Sequence, residues 1–361
     1  MNILIISHLT TNVASGPNWS VPASAKSQSE YDNVLWINMT NAEMPHWKEV
    51  SSYHNIKEYS SLKKLPSPFL KPDIVVFEGF YFLDDAFCAL KLKRERIPYI
   101  IVPRGSLTWQ ALHNKAKLKK SVAHFLFFDR FIKDAAAIQY LTKKEKDDST
   151  RRFKTNSFVI PNGFNEPVVK KEIFSEKGIK AIFVGRLGIY HKGIDNLLKA
   201  ISQIKEQMLT AGFTLNMYGP RHKYDYDAVQ KLIDELGIFD IVFLNDAISG
   251  AGKERVLLSS DLFVLTSRLE GHPMGLIEAL AYGLPSFVST GSNMRDEIEE
   301  YDAGWTCDGN VQDIQEALLQ MVSEHSKLRK KSEGARKLAL QYNWSYIAEQ
   351  FHKALETIIT K

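Results

Sequence analysis

The sequence predicts an α/β protein of two doubly wound parallel sheets. Three observations carry that expectation. Short β-rich runs alternate with longer helical patterns along all 361 residues, as in chains of β-α-β units. The runs are continuous in Val, Ile, Leu and Phe instead of alternating with polar residues, which marks parallel strands covered on both faces. The chain is also long for a single hydrophobic core, so the runs are expected to divide between two domains.

The first series holds NILIIS (2–7), NVLWIN (33–38), DIVVFEG (73–79), YIIVP (99–103), AIQYLT (137–142) and SFVIP (157–161). Its opening run lacks a basic leader and is too short for a signal peptide, so it reads as a buried strand. The second series holds KAIFVG (180–185), TLNMYG (214–219), IVFLN (241–245), DLFVLTS (261–267) and PSFVST (285–290). Between them, IPNGFNEPVVKKEIFSEKG (160–178) has two prolines, an Asn162-Gly163 turn pair and a charged stretch. The expected division is therefore 1–163 and 164–341, followed by a terminal helix over 342–361. In that helix Ile347, Phe351, Leu355 and Ile358 fall near helical spacing, with Ser345 as N-cap.

Composition narrows the function classes. Hydrophobic residues make up 44% and charged residues 24%, ordinary for a globular protein. A net charge of +4 suits a phosphate-bearing ligand or an anionic membrane surface. Two distant cysteines, Cys88 and Cys307, argue against a disulfide framework and for a reducing, cytoplasmic compartment. No apolar stretch approaches the roughly 18 residues that span a bilayer. No G-x-G-x-x-G follows the first strand, so the dinucleotide fingerprint is missing. The histidines show no metal-ligand spacing. SGAGKE (249–254) departs from the phosphate-loop pattern at Ala247 and Glu254 and reads as a polar turn.

Two stretches carry candidate chemistry. The first is EGHPMGLIEALAYGLP (270–285), with Glu270 and Glu278 eight positions apart. Glycosidases hold two carboxyl groups about 5 to 9.5 Å apart. Eight residues of continuous helix would separate them by about 12 Å, and Pro273 and Gly275 break such a helix in any case. Glu270 is therefore expected on a loop and Glu278 in the first turns of a helix starting near Met274 or Gly275. Free N–H groups at Met274, Gly275 and Leu276 would favour phosphate or sugar oxygens. Alternatively Glu278 only complements the helix dipole and Glu270 is a surface residue. The second stretch is VGRLGIYHKG (184–193), where Arg186 and Lys192 follow the end of a strand. They are either a diphosphate clamp or a pair of solvated loop cations.

These residues resemble the retaining GT-B glycosyltransferases of family 4. GRL…KG and SRLEGHPMGLIEALAYGLP, with its two glutamates, are similar to that family's motifs. VIPNGF (159–164), MYGP (217–220) and the terminal YNWSYIAEQF (342–351) fit as well. The resemblance implies two Rossmann-like domains, an N-terminal one for the acceptor and a C-terminal one for a nucleotide-diphosphate sugar, with the last helix crossing back to the first. Arg186 and Lys192 would stabilise the leaving diphosphate and Glu278 would bind the ribose. Glu270 would sit at the donor sugar, with Gly271, His272, Met274, Gly275 and Leu276 around it. The loops after MYG and IVFLN, near Tyr218 and Asn245, would flank the base, and Gly16 in ASGPNWSVPA (14–23) would approach the donor phosphates. No cofactor or metal is implied.

Departures from the family pattern also matter. Pro17 follows Gly16 where many relatives have a second glycine. Arg104-Gly105 stands where many have His-Gly, so Arg104 meets a phosphate or acidic acceptor, or else serves as a framework ion pair. Glu78 is a candidate for acceptor hydroxyls, or a loop carboxylate without that role. The stretch 113–136 sets Lys115, Lys117, Lys119 and Lys120 before Phe125, Phe127, Phe128 and Phe131. It offers a contact for anionic lipid, or aromatics packed in the first domain with lysines in water. No nucleic-acid motif is present. The expected activity is transfer of a hexose-type sugar to a glycan or lipid-linked acceptor in bacterial surface polysaccharide assembly. The alternatives are a nucleotide-sugar epimerase on the same fold and a non-catalytic glycan- or lipid-binding subunit.

Overall fold

The computed structural model describes residues 1–12, 15–108, 112, 127–150, 153–221 and 225–360. The chain divides into two compact units, Met1–Gly163 with Trp344–Lys361, and Phe164–Asn343. The first holds a seven-stranded sheet of β1 (Asn2–Ser7), β2 (Asn33–Asn38), β3 (Tyr53–Asn55), β4 (Ile74–Glu78), β5 (Tyr99–Val102), β6 (Ala137–Tyr140) and β7 (Ser157–Val159), in the order β3-β2-β1-β4-β5-β6-β7. The second holds β8 (Ile179–Val184), β9 (Phe213–Gly219), β10 (Val242–Asp246), β11 (Leu262–Leu265), β12 (Ser286–Ser289) and β13 (Gly304–Cys307), in the order β10-β9-β8-β11-β12-β13. Every pairing in both sheets is parallel. Each order reverses beside the first strand, between β1 and β4 and between β8 and β11. That reversal leaves a crevice at the carboxyl ends of the strands, where such sheets bind ligands.

The eleven apolar runs all became strands. β3 and β13 are the additions, and both sit at sheet edges. Tyr-His-Asn and Gly-Trp-Thr-Cys are short and mixed in polarity, so neither forms a continuous apolar run.

Three local expectations fail for identifiable reasons. The Asn162-Gly163 pair predicts a turn, but Gly163 serves a close approach. A Cβ there would meet the Trp344 ring at 2.6 Å, and next to it Phe164 bridges to Asn343. Ser345 is not an N-cap, because the helix Trp344–Ile359 begins one residue earlier. Its apolar face, Ile347, Phe351 and Leu355, is buried in the first unit. SGAGKE is not a turn: the helix Gly250–Ser259 starts inside it.

The first helix, Pro17–Gln28, carries Pro22 in its interior. A proline there has no N–H for the carbonyl four residues back. That carbonyl, on Asn18, is taken instead by Trp47 Nε1 and His46 Nε2, each at 2.9 Å. Phe128 and Phe131 are buried in the first core and Phe127 packs against it. Lys115, Lys117, Lys119, Lys120 and Phe125 lie outside the described residues. Among the described residues, no helix is long and apolar enough to cross a membrane.

Candidate functional site

In the second unit, the carboxyl ends of β8 and β11 bring two loops together. The loop after β8 carries Arg186 and Lys192 and ends at Gly193, whose φ is +63°. A Cβ on Gly193 would lie 2.0 Å from the carbonyl of Thr266, at the end of β11, so only glycine lets the two loops approach this closely. Arg268 fastens them further. Its guanidinium grips Asp195 at 2.6 and 2.9 Å, donates to the Tyr190 carbonyl at 2.8 Å and lies over the Tyr190 ring. Its backbone N–H donates to the His191 carbonyl. Burial alone would raise Asp195, yet the Arg268 fork outweighs it and holds the carboxyl below its ordinary value.

That fastening places Lys192 beside Glu270. Lys192 Nζ lies 2.5 Å from Glu270 Oε1, with side chains 17% and 13% exposed. Ser267 Oγ donates to the same oxygen at 2.6 Å. The Glu270 backbone is held as well, its N–H by Gly291 and its carbonyl by the Asn293 side-chain amide. Arg186 is exposed and makes no ion pair among the described residues.

Glu270 and Glu278 stand in different settings. Glu270 ends a loop, whereas Glu278 lies on the helix Met274–Ala281, which starts after Pro273 with no side chain capping its N–H groups. Leu276 is buried and its N–H already donates to the Pro273 carbonyl, leaving Met274 and Gly275 at the open end of that helix. Glu278 pairs with Lys253, from the helix that replaced the expected turn. Gly271 is open around its Cα, and the His272 ring lies 5.3 Å from that of Tyr342. Tyr218 and Asn245 lie near the carboxyl ends of β9 and β10 and face each other in the register of the two strands.

The first unit gathers Glu78 and Arg104 at the ends of β4 and β5. Arg104 Nε donates to Glu78 Oε2 at 2.7 Å, with side chains 10% and 6% exposed. Its Nη1 donates to Ser20 Oγ and Asn162 Oδ1. Arg104 has φ +51°, a left-handed turn that continues into Gly105. Nearby, His8 Nε2 lies 2.8 Å from Asp85 Oδ1 and its ring stacks on Phe82. Burial pushes the Asp85 carboxyl up, against the pull of His8. Gly16 is the N-cap of the first helix.

Arg268, Lys253 and Asn293 were not singled out from the sequence, since each acts by holding a residue that was. Burial pushes both thiols up to about 12, so neither supplies a thiolate near neutral pH. Among the described residues, no three His, Cys, Asp or Glu side chains cluster to hold a metal ion.

Residues 165–338 match the family described as glycosyl transferases group 1. The chain is 26% identical over 197 residues to the N,N'-diacetylbacillosaminyl-diphospho-undecaprenol alpha-1,3-N-acetylgalactosaminyltransferase of Campylobacter jejuni, covering 53% of this chain and 49% of that one. It is 24% identical over 301 residues to an uncharacterized glycosyltransferase of Haemophilus influenzae, covering 82% and 80%. The chain spans about half the length of most curated relatives it matches. Among solved structures, HepE from Anabaena in complex with UDP has a TM-score of 0.74 at 14% identity, covering 99% of this chain and 100% of that one. The second unit is thus similar over almost its whole length to the group 1 glycosyltransferases, and the two-sheet architecture is the GT-B fold.

Proposed function

We propose that the protein is a retaining, metal-independent glycosyltransferase that moves a hexose-type sugar from a nucleotide-diphosphate sugar to a glycan or lipid-linked acceptor. The second unit binds the donor and the first unit the acceptor. The observation that carries the proposal is the Lys192–Glu270 pair at the end of β11, beside the uncapped helix start at Met274. An exposed Arg186 and a partly exposed Lys192 supply positive charge where a diphosphate leaving group gains negative charge. Donor binding exchanges partners: Lys192 turns from Glu270 to the diphosphate, and Glu270 accepts from sugar hydroxyls. Glu278 makes the corresponding exchange from Lys253 to the ribose. An acceptor hydroxyl attacks the anomeric carbon from the face the phosphate leaves, the carbon–phosphate oxygen bond breaks, and the acceptor proton passes to the departing phosphate oxygen.

The relatives support the substrate classes. HepE is described in complex with UDP, and the Campylobacter enzyme's name specifies a sugar acceptor on diphospho-undecaprenol. Relatives named for colanic acid and amylovoran biosynthesis support a role in surface polysaccharide assembly, which we place at the cytoplasmic face of a membrane. A thermal-shift panel of UDP, GDP, dTDP, ADP and their sugar conjugates tests the donor assignment. Stabilisation by one nucleotide family is expected, and none at all refutes the proposal. Product analysis without acceptor separates transfer from epimerisation, since an altered donor sugar would establish the latter.

A further inference from the structure

An aromatic ladder runs out of the first core and ends at an exposed tryptophan. Trp36 and Trp47, both fully buried, meet edge to face at 6.2 Å. Trp47 in turn meets His46 at 6.1 Å, and His46 stacks flat on Trp19, with ring centroids 4.2 Å apart and 4° between planes. Trp36, Trp47, Trp305 and Trp344 are buried, whereas Trp19 is 51% exposed. A single exposed apolar side chain is ordinary, but this one is held. Pro22 frees the Asn18 carbonyl, which accepts from His46 Nε2 and Trp47 Nε1 and so fixes the plane on which Trp19 rests.

The position is informative. Trp19 lies in the first turn of the helix after β1, and His46 in the short helix Pro45–Lys48 after β2. Both are therefore at the carboxyl edge of the first sheet, the edge that also holds Glu78 and Arg104. Neighbours in the chain are small or polar: Gly16, three residues before Trp19, is open, and Glu43, three residues before His46, pairs with Lys48 at 2.8 Å. A pyranose ring fits, because it offers one apolar C–H face to a single aromatic plane and hydroxyls to polar neighbours.

We propose that the Trp19–His46 stack is a sugar-binding platform that seats a pyranose ring of the acceptor, an assignment that rests on the acceptor role given above to the first unit. The indole binds by its ring face and His46 sets its orientation.

The full chain is titrated with methyl glycosides of glucose, galactose, N-acetylglucosamine and N-acetylgalactosamine, read by saturation-transfer NMR and tryptophan fluorescence. Saturation of ring C–H protons is expected in the native protein and in Trp19→Phe. Trp19→Ala is expected to weaken binding about tenfold, and His46→Ala several-fold, with circular dichroism unchanged. Equal binding in Trp19→Ala, or no glycoside binding by the native protein, overturns the platform. UDP and GDP binding are followed in the same samples. If the native protein binds no nucleotide, the glycosyltransferase proposal fails, whereas intact nucleotide binding with no glycoside effect sinks the platform alone.

Discussion

The carboxyl edges of the two sheets share a strand order and treat their charges differently. In the first unit, Glu78 and Arg104 close on each other and are further satisfied by Ser20 and Asn162, almost out of water. His8 and Asp85 do the same. In the second unit, Lys192–Glu270 and Lys253–Glu278 are paired but partly open, and Arg186 projects into solvent. A closed pair has already lost its hydration, so its members are committed to the fold. An open pair can trade one partner for a ligand at little cost. On this contrast the second edge is built to exchange partners and the first to hold a shape.

Substitutions can break that contrast. The largest effect is expected for Lys192→Ala and Glu270→Ala, where kcat/KM should fall about 10²- to 10³-fold. Any fall in Tm should be smaller than for Arg104→Ala, because this pair keeps more contact with water. A folded variant with near-native turnover would remove these residues from the chemistry. Arg104→Ala should show the opposite balance by stranding a buried carboxylate on Glu78. A loss of about 3 kcal/mol is expected, read as a lower urea midpoint for the first unit. If it proves as stable as the parent, the closed pair is not structural.

Gly193→Ala comes next, since its Cβ would collide with the Thr266 carbonyl and part the two loops. About 2 kcal/mol and most of the donor affinity should be lost, measured by urea unfolding and nucleotide titration.

The smallest effects sharpen the comparison through pH. Asp195 is held below its ordinary value, so its stabilisation is present above the unfolded pKa of 3.8 and is lost as pH falls through the lower folded value. Asp85 is raised, so its charged form burdens the folded state at neutral pH and protonation relieves it as pH falls toward and through the carboxylate range. Asp195→Asn should therefore make stability less sensitive to acid, and Asp85→Asn more sensitive. Urea midpoints from pH 7 to 3 check both, and matching slopes in the two variants would contradict the assignment.

Much of the fold was legible because buried parallel strands need continuous apolar runs, and eleven of them stood out. The edge strands β3 and β13 did not, because at three and four residues of mixed polarity they form no continuous apolar run. The second unit's candidate residues were legible because Gly, Pro, Glu and Lys there meet local demands within a few positions. Arg268, Asn293 and Lys253 were hidden, because each meets its partner across tens of residues. The first unit was harder to read for the same reason: Glu78, Arg104, Ser20 and Asn162 converge from four separate segments.

By itself the sequence determined the periodicities, the breaks at Pro273 and Gly275, and so the division of Glu270 and Glu278 between a loop and a helix. Those depend on backbone geometry over a few residues. Only the tertiary structure decided the partners: Lys192 on Glu270, Lys253 on Glu278, Arg104 on Glu78, and His46 beneath Trp19. The physical reason is range. Hydrogen bonds and ion pairs act over a few ångströms, and only the folded sheet brings together residues tens of positions apart in the chain.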